Sequence, residues 1–317
     1  MIGVTGASGF IGQAICRRLL AGNYTVRALI RDPRKAHLPA LTDCEIVRGD
    51  VTDVDSLRPL VIGTDAIIHC AGNVRGASRD DFDDVNVGGT RNLLCAMSAV
   101  EAAAPRLLLI SSLAAREPQL SDYAASKRQA EQLLETEAGS ITWTVLRPPA
   151  VYGPGDRELL PIFRLMAHGI ALTAGPPTAR FSMLYVDDLA NAAIACLRSD
   201  SVAGGIFDVD DGHAGGYDWR EVGRIVGQLC RRRIHVLQPA AWLLDLTAWL
   251  NVRLGAVFGT APMITPGKLR ELRHTDWVCD NAELRRAVDW RPVTDLTAGL
   301  RATPGWSGRR RTGIAPG

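Results

Sequence analysis

Short apolar runs alternate with longer amphipathic stretches through the first half of the chain. Runs at 2–5, 24–30, 45–49, 66–70, 106–111 and 142–146 have the length and branched-residue content of buried strands. Helical periodicity marks 11–21, 53–61, 80–99, 122–137 and 157–168. This βαβ rhythm predicts an α/β fold with a doubly wound, mainly parallel sheet covered by helices on both faces. After about residue 150 the rhythm breaks. Six of the seven tryptophans (Trp219, Trp242, Trp249, Trp277, Trp290 and Trp306) lie in the last third, and helices are expected at 187–198, 218–230 and 240–252. The predicted division is a domain over 1–150, with strand and helix returns from about 181–210, a smaller lobe over 151–304, and a flexible basic tail over 305–317.

Composition narrows the function classes. Lys+Arg 36 against Asp+Glu 34 leaves a net charge of +2, too small to hold nucleic acid by bulk electrostatics, and 47% apolar with 22% charged residues places the chain among globular proteins. Seven widely spaced cysteines without a CxxC pair point to reduced thiols and a cytoplasmic setting. The N-terminal residues turn glycine-rich at once and do not read as a secretory signal. The most apolar stretch, 239–267, is interrupted by Asp245 and Arg253 and broken by Pro262 and Pro266, so no integral membrane span is expected. No metal-ligand spacing is present, and the expected partner is a small-molecule substrate.

Candidate chemistry begins in the first turn. Gly6, Ser8, Gly9, Phe10, Ile11 and Gly12 lie between the first strand and a helix, where a dinucleotide pyrophosphate needs a tight turn, close backbone approach and free helix N–H groups. At the end of the second strand, Arg31 offers a guanidinium for a 2′-phosphate, which favours NADP(H) over NAD(H). The alternative is that Asp32 takes the ribose hydroxyls. Tyr123 and Lys127 stand four apart on one helix face, a spacing that lets an ammonium favour a phenolate. Ser111 and Ser112 end the strand just before that helix.

The GxxGxxG turn, the strand-end serine and the YxxxK pair together resemble the extended short-chain dehydrogenase/reductase family, which includes NAD-dependent epimerases and dehydratases. The segments 147–156 and 183–193 extend the resemblance over nearly the whole chain. It implies a Rossmann-type sheet over 1–150 that binds the dinucleotide, and a C-terminal lobe that binds substrate. It also implies cofactor contacts from Asp50 and Val51, from Cys70, Ala71 and Gly72, from Asn86, and from Tyr123, Lys127 and Pro149. Asn86 is equally readable as a structural helix amide, and His69 reads as a packed strand-end histidine rather than a catalyst. The implied catalytic set is Ser112, Tyr123 and Lys127, with Tyr123 moving the proton, Lys127 lowering its pKa and Ser112 orienting the reacting oxygen. Helices 80–99 and 122–137 are similar to the pair that builds homodimers in this family.

Two positions argue against dehydration. Leu113 and Ala114 stand where the family's sugar dehydratases carry an Asp-Glu pair, so a second acid is missing. The leading expectation is therefore hydride transfer between nicotinamide and a secondary alcohol or ketone. The alternatives are a nucleoside-diphosphate-sugar epimerase with Arg157, Arg164 and Arg180 as a diphosphate pocket, a sterol 3β-dehydrogenase-like enzyme, and a noncatalytic nucleotide-binding protein. Trp242 and Trp249 are expected to cap the core of the small lobe; lining an apolar substrate slot or lying on a membrane surface are the other readings.

Overall fold

Seven parallel strands form the central sheet of the computed structural model, which describes residues 1–100, 104–258, 262 and 264–307. The strands of the first half are β1 (Ile2–Thr5), β2 (Val26–Ile30), β3 (Glu45–Arg48), β4 (Ala66–His69), β5 (Arg106–Ile110) and β6 (Trp143–Arg147). Beyond them come β7 (Ala150–Tyr152), β8 (Ile170–Leu172), β9 (Arg180–Phe181), β10 (Met183–Tyr185), β11 (Gly205–Asp208), β12 (His235–Leu237) and β13 (Asp276–Trp277). The sheet order is β11-β6-β5-β4-β1-β2-β3, so β1 and β4 are the neighbours between which the winding reverses. Crevices for ligands open at that point, outside the carboxyl ends of the strands. Thr5 is paired with His69 there.

The continuous apolar runs of the inner strands follow from burial on both faces. One face packs against α1 (Phe10–Ala21) and the later α7 (Val186–Leu197), burying Ile15, Leu19, Ile68 and Leu189. The other packs against α2 (Val54–Val61), α4 (Gly89–Ser98) and α5 (Asp122–Glu137), burying Leu57, Leu93, Met97 and Leu134, while the short α3 (Arg79–Phe82) lies against α5. The periodic stretch at 80–99 is one helix with a π-helical segment, Asp83–Gly88, set between α3 and α4. Extra-wide turns of this kind re-aim side chains and recur at functional sites. Here the segment carries Asn86.

A separate apolar cluster forms outside the sheet, from Tyr152, Phe163, Met166, Tyr185, Tyr217, Val226, Leu300 and Trp306. It is built largely by α6 (Leu160–Ala167), α8 (Trp219–Cys230) and α12 (Leu296–Ala302); α9 (Ala241–Phe258) and α10 (Pro266–Arg273) pack on each other, and α11 (Ala282–Ala287) joins the core of the central sheet through Leu284. Helix 157–168 starts later than its periodicity suggests because Asp156 accepts the N–H groups of Glu158 and Leu159 and holds them in a turn. Trp290 and Trp306 are buried, but Trp242 is 68% and Trp249 52% exposed, so these two do not cap the core. The parts of 239–267 and of the tail that fall at 259–261, 263 and 308–317 lie outside the described residues. No helix among the described residues is long and apolar enough to cross a membrane.

Candidate active site

The glycine turn is built for close backbone approach. Gly6 holds φ +64°, and a Cβ there would lie 2.6 Å from the Ala71 nitrogen, so only glycine lets the turn after β1 meet the segment after β4. A Cβ on Gly12 would lie 2.2 Å from the Gly6 carbonyl oxygen. At Gly9 the only near neighbour is that same oxygen, 3.1 Å away, which leaves its other side open. Helix α1 starts at Phe10 with no side-chain cap and no acid in its first turn, so its leading N–H groups and dipole are available to an anion. These residues fit a dinucleotide pyrophosphate.

At the expected adenosine end, Arg31 is 76% exposed and its guanidinium lies 3.6 Å from Asp50. Asp32 is engaged otherwise: its carboxylate accepts from the Arg34 side chain at 3.0 Å and from the Arg34 backbone N–H at 3.1 Å. That hydrogen bonding to Arg34 holds Asp32 below the usual carboxylate range. Asp50 accepts from the N–H and hydroxyl of Thr52, both at 3.1 Å. Val51 is buried against α4, where its carbonyl accepts from Asn92.

Under the expected nicotinamide end, the side chain of Asn86 is fully occupied. Its Oδ1 accepts the Asn73 N–H at 2.8 Å, and its Nδ2 donates to the Asn73 carbonyl and to Ser126 Oγ, 2.8 Å away. Asn86 therefore ties the Cys70–Ala71–Gly72 segment to α5, and its oxygen would lie 3.1 Å from a Cβ on Gly72. His69 is completely buried, with its Nδ1 2.6 Å from Thr5 Oγ1. Burial, with the Lys127 cation nearby, brings its pKa down to about 3, so it is a neutral packed side chain.

Helix α5 carries Tyr123 and Lys127, the expected reacting groups. Ser121 caps it by accepting the Ala124 N–H at 3.0 Å, which places Tyr123 in the first turn and Lys127 one turn on. Ser112 lies beside the Tyr123 phenol and favours its ionised form, and the Tyr123 ring meets Phe82 edge-on at 6.1 Å. Ser112 itself caps the turn after β5, accepting the Ala114 N–H at 3.2 Å, with Leu113 and Ala114 buried behind it. Ser111 points the other way and donates to Glu131 at 2.6 Å. Pro149 sits in the short link between β6 and β7, next to Pro148, whose carbonyl accepts the Leu113 N–H at 2.9 Å.

Lys127 is 6% exposed and donates to the Ile110 carbonyl at 2.8 Å. Burial lowers its pKa to about 8, partly offset by Glu131 and Cys70. Burial also pushes the Tyr123 phenol above its ordinary value, while the Ser112 hydroxyl and the charge of Lys268 pull it back and Glu271 opposes them. Lys268 and Glu271 were not singled out by any motif. Both come from α10, where Lys268 Nζ lies 2.8 Å from Glu271 and Glu271 accepts from the Ser121 hydroxyl. Arg270 adds a bond to the Leu120 carbonyl at 2.7 Å. Helix α10 is thus fastened to the N-terminus of α5 and brings the Lys268 ammonium to Tyr123, whereas Lys127, expected to lower the phenol's pKa, is turned to the Ile110 carbonyl and is not among the groups that shift it.

Residues 2–209 match the model of the NAD dependent epimerase/dehydratase family. The chain belongs to that family. It is 34% identical over 290 residues to the ceramide reductase of Caulobacter vibrioides, covering 91% of this chain and 89% of that protein. It is 25% identical over 332 residues to the UDP-glucose 4-epimerase of Vibrio cholerae, covering 95% and 93%. A crystal structure of a putative epimerase from Burkholderia cenocepacia superposes with a TM-score of 0.75 at 23% identity, covering 95% of this chain and 96% of the other. The protein is a nicotinamide-dependent enzyme of the extended short-chain dehydrogenase/reductase class, whose members act as reductases, dehydrogenases and epimerases.

Proposed function

We propose that the protein is an NADP(H)-dependent oxidoreductase that interconverts a secondary alcohol and a ketone. The carrying observation is that Ser112 lies beside the Tyr123 phenol while Lys127 Nζ would stand 3.7 Å from a Cβ on Gly72, in the segment that meets the glycine turn at the β1/β4 crevice. NADP(H) is favoured because Arg31 is exposed while the carboxylate of Asp32 is already held by Arg34. The epimerase alternative is less well served. Arg164 donates to the Gly305 carbonyl and Arg180 to those of Gly215 and Gly216, so two of its three diphosphate candidates are engaged with backbone.

In this reading Gly6, Ser8, Gly9, Phe10, Ile11 and Gly12 hold the pyrophosphate, Arg31 the 2′-phosphate, and Asp50 and Val51 border the adenine. Cys70, Ala71, Gly72 and Pro149 line the nicotinamide end, which Asn86 positions. The nicotinamide, when bound, supplies or accepts the hydride. As a ketone is reduced, Tyr123 donates its proton to the substrate oxygen, and Ser112 holds that oxygen by hydrogen bond. Lys127 moves from the Ile110 carbonyl towards the cofactor ribose, and the Lys268 ammonium partly offsets the burial that raises the Tyr123 phenol. The lobe over 151–304 selects the substrate. This reading places the enzyme in the cytoplasm as a homodimer, the cytoplasmic setting resting on widely spaced cysteines with no CxxC pair.

The test is to follow NADPH absorbance with a panel of ketones and to identify by mass spectrometry any nucleotide carried through purification. Steady NADPH consumption with a ketone supports the reading. Tightly held NAD, with no consumption of added NADPH, supports the epimerase instead.

A further inference from the structure

Among the described residues, nine of the fourteen large exposed apolar side chains belong to three neighbouring elements: Ile170 and Leu172 on β8, Leu237 on β12, and Trp242, Leu243, Leu246, Trp249, Leu250 and Leu254 on α9. Strands β8 and β12 pair in register, Ile170 with His235 and Leu172 with Leu237, and turn Ala171 and Val236 inward. Their outer face leads directly into α9 through three residues. Helix α9 rests on the protein along a narrow stripe, Leu244, Ala248, Asn251 and Val252, leaving the rest of its described circumference in solvent.

The charges on α9 are already used. Asp245 pairs with Arg273 of α10 at 2.8 Å, and the Arg253 guanidinium lies 5.2 Å from the Trp249 ring centre. Sequence periodicity alone would make such a helix a core element, because it is apolar nearly all round. A water-exposed apolar face of this extent marks a contact surface.

A cationic groove lies at the other end of β12. Arg220 and Arg224 of α8 and Arg231, Arg232 and Arg233 line it, all exposed, and none of the five takes part in an ion pair among the described residues. Arg232 donates to the His168 carbonyl at 3.0 Å, close to the start of β8. Trp and Leu beside unpaired arginines match the two layers of a lipid surface, acyl chains under anionic headgroups.

We propose that this face docks on an anionic lipid bilayer, with α9 lying in the interfacial plane and the Arg220–Arg233 groove engaging headgroup phosphates. The helix does not span the membrane. It packs on α10, whose Lys268 acts on Tyr123, so the docked surface is one helix away from the reacting hydroxyl.

The test is flotation of the full chain with vesicles of phosphatidylcholine alone and of phosphatidylcholine with one-third phosphatidylglycerol. The expected result is binding to the anionic vesicles only, lost at high salt. Trp242→Ser with Trp249→Ser should weaken it by at least about ten-fold, and Arg232→Glu with Arg233→Glu by more than about ten-fold, since each charge near the surface is worth roughly a five-fold change. Both pairs should keep the wild-type unfolding temperature and NADPH affinity, because the replaced side chains are exposed. Failure to float with either vesicle, or equal binding to both, overturns the proposal. So does a dimer by light scattering that the tryptophan pair of substitutions splits, which would assign the face to a second copy of this chain.

Discussion

Replacing Glu131 with glutamine removes a charge from the interior immediately below the reacting residues. Glu131 is completely buried on α5 and accepts from Arg147 at 2.9 and 2.5 Å, from Ser111 at 2.6 Å and from Arg128 at 3.2 Å. Breaking one side of a buried, hydrogen-bonded pair costs about 3–5 kcal/mol, most of it the penalty on the charge left behind. Glutamine keeps an acceptor for Ser111 and one for Arg147, so the loss should lie near the lower end, about 3 kcal/mol. For a chain of this size that is a fall of about 4–5 °C in unfolding temperature. Denaturant unfolding of wild type, Glu131→Gln, Arg147→Met and the double variant measures it. The double variant should lose less than the sum of the single losses, with a coupling of about 1–3 kcal/mol. A Glu131→Gln loss below about 1 kcal/mol, or simple additivity, would refute the assignment of this cluster as the support of α5.

Three further outcomes follow from the site. Lys127 is held at about 8 in the folded chain against an ordinary 10.5, so the unfolded chain binds more protons between those values and wild-type stability rises with pH across that window. Below about pH 8 the full penalty of about 3 kcal/mol applies, so Lys127→Met should stabilise the protein near pH 7 by a margin that shrinks towards pH 10; a constant margin counts against this. Lys268→Met should raise the Tyr123 titration and Glu271→Gln lower it, read as tyrosinate absorbance against the matching Tyr123→Phe backgrounds; shifts of the same sign would show that α10 acts only by packing. The charges and polar groups to be accounted for are Ser112 beyond β5, Lys268 and Glu271 on α10, and Lys127 on α5 itself. Arg31→Glu should weaken NADPH binding by about ten- to hundred-fold, the worth of a charge-assisted bond, and leave NADH affinity unchanged. Equal weakening of both cofactors would instead make Arg31 a general support of the β2 end.

The fold was legible where short-range rules decide it. Strand length, buried on both faces, identifies β1, β2, β4 and β5, and Gly6, Gly9 and Gly12 declare their purpose because a Cβ at two of them would collide with backbone. Tyr123 and Lys127 are readable because four residues make one helical step. Contacts that depend on distant chain were not. Glu271 reaches Ser121 across 150 positions, and nothing local to either residue announces the pairing. Asn86 required the π-helical segment to turn it towards Asn73 and Ser126, and apolar periodicity marks such a turn no differently from a regular one. Helix α9 shows the opposite limit. Its Trp242 and Trp249 have core composition and surface placement, because composition says what a face prefers and not whether the fold supplies a partner.

The central claim is that Tyr123 delivers the proton in a reaction driven by a separately bound nicotinamide. Its most direct test is the turnover of Tyr123→Phe with the best ketone of the panel, measured beside the Kd for NADPH. Phenylalanine keeps the edge-on contact with Phe82 and deletes only the hydroxyl that meets Ser112. Turnover should fall by about a hundred-fold or more while the NADPH Kd is unchanged. Turnover retained within a few-fold of wild type would contradict the assignment.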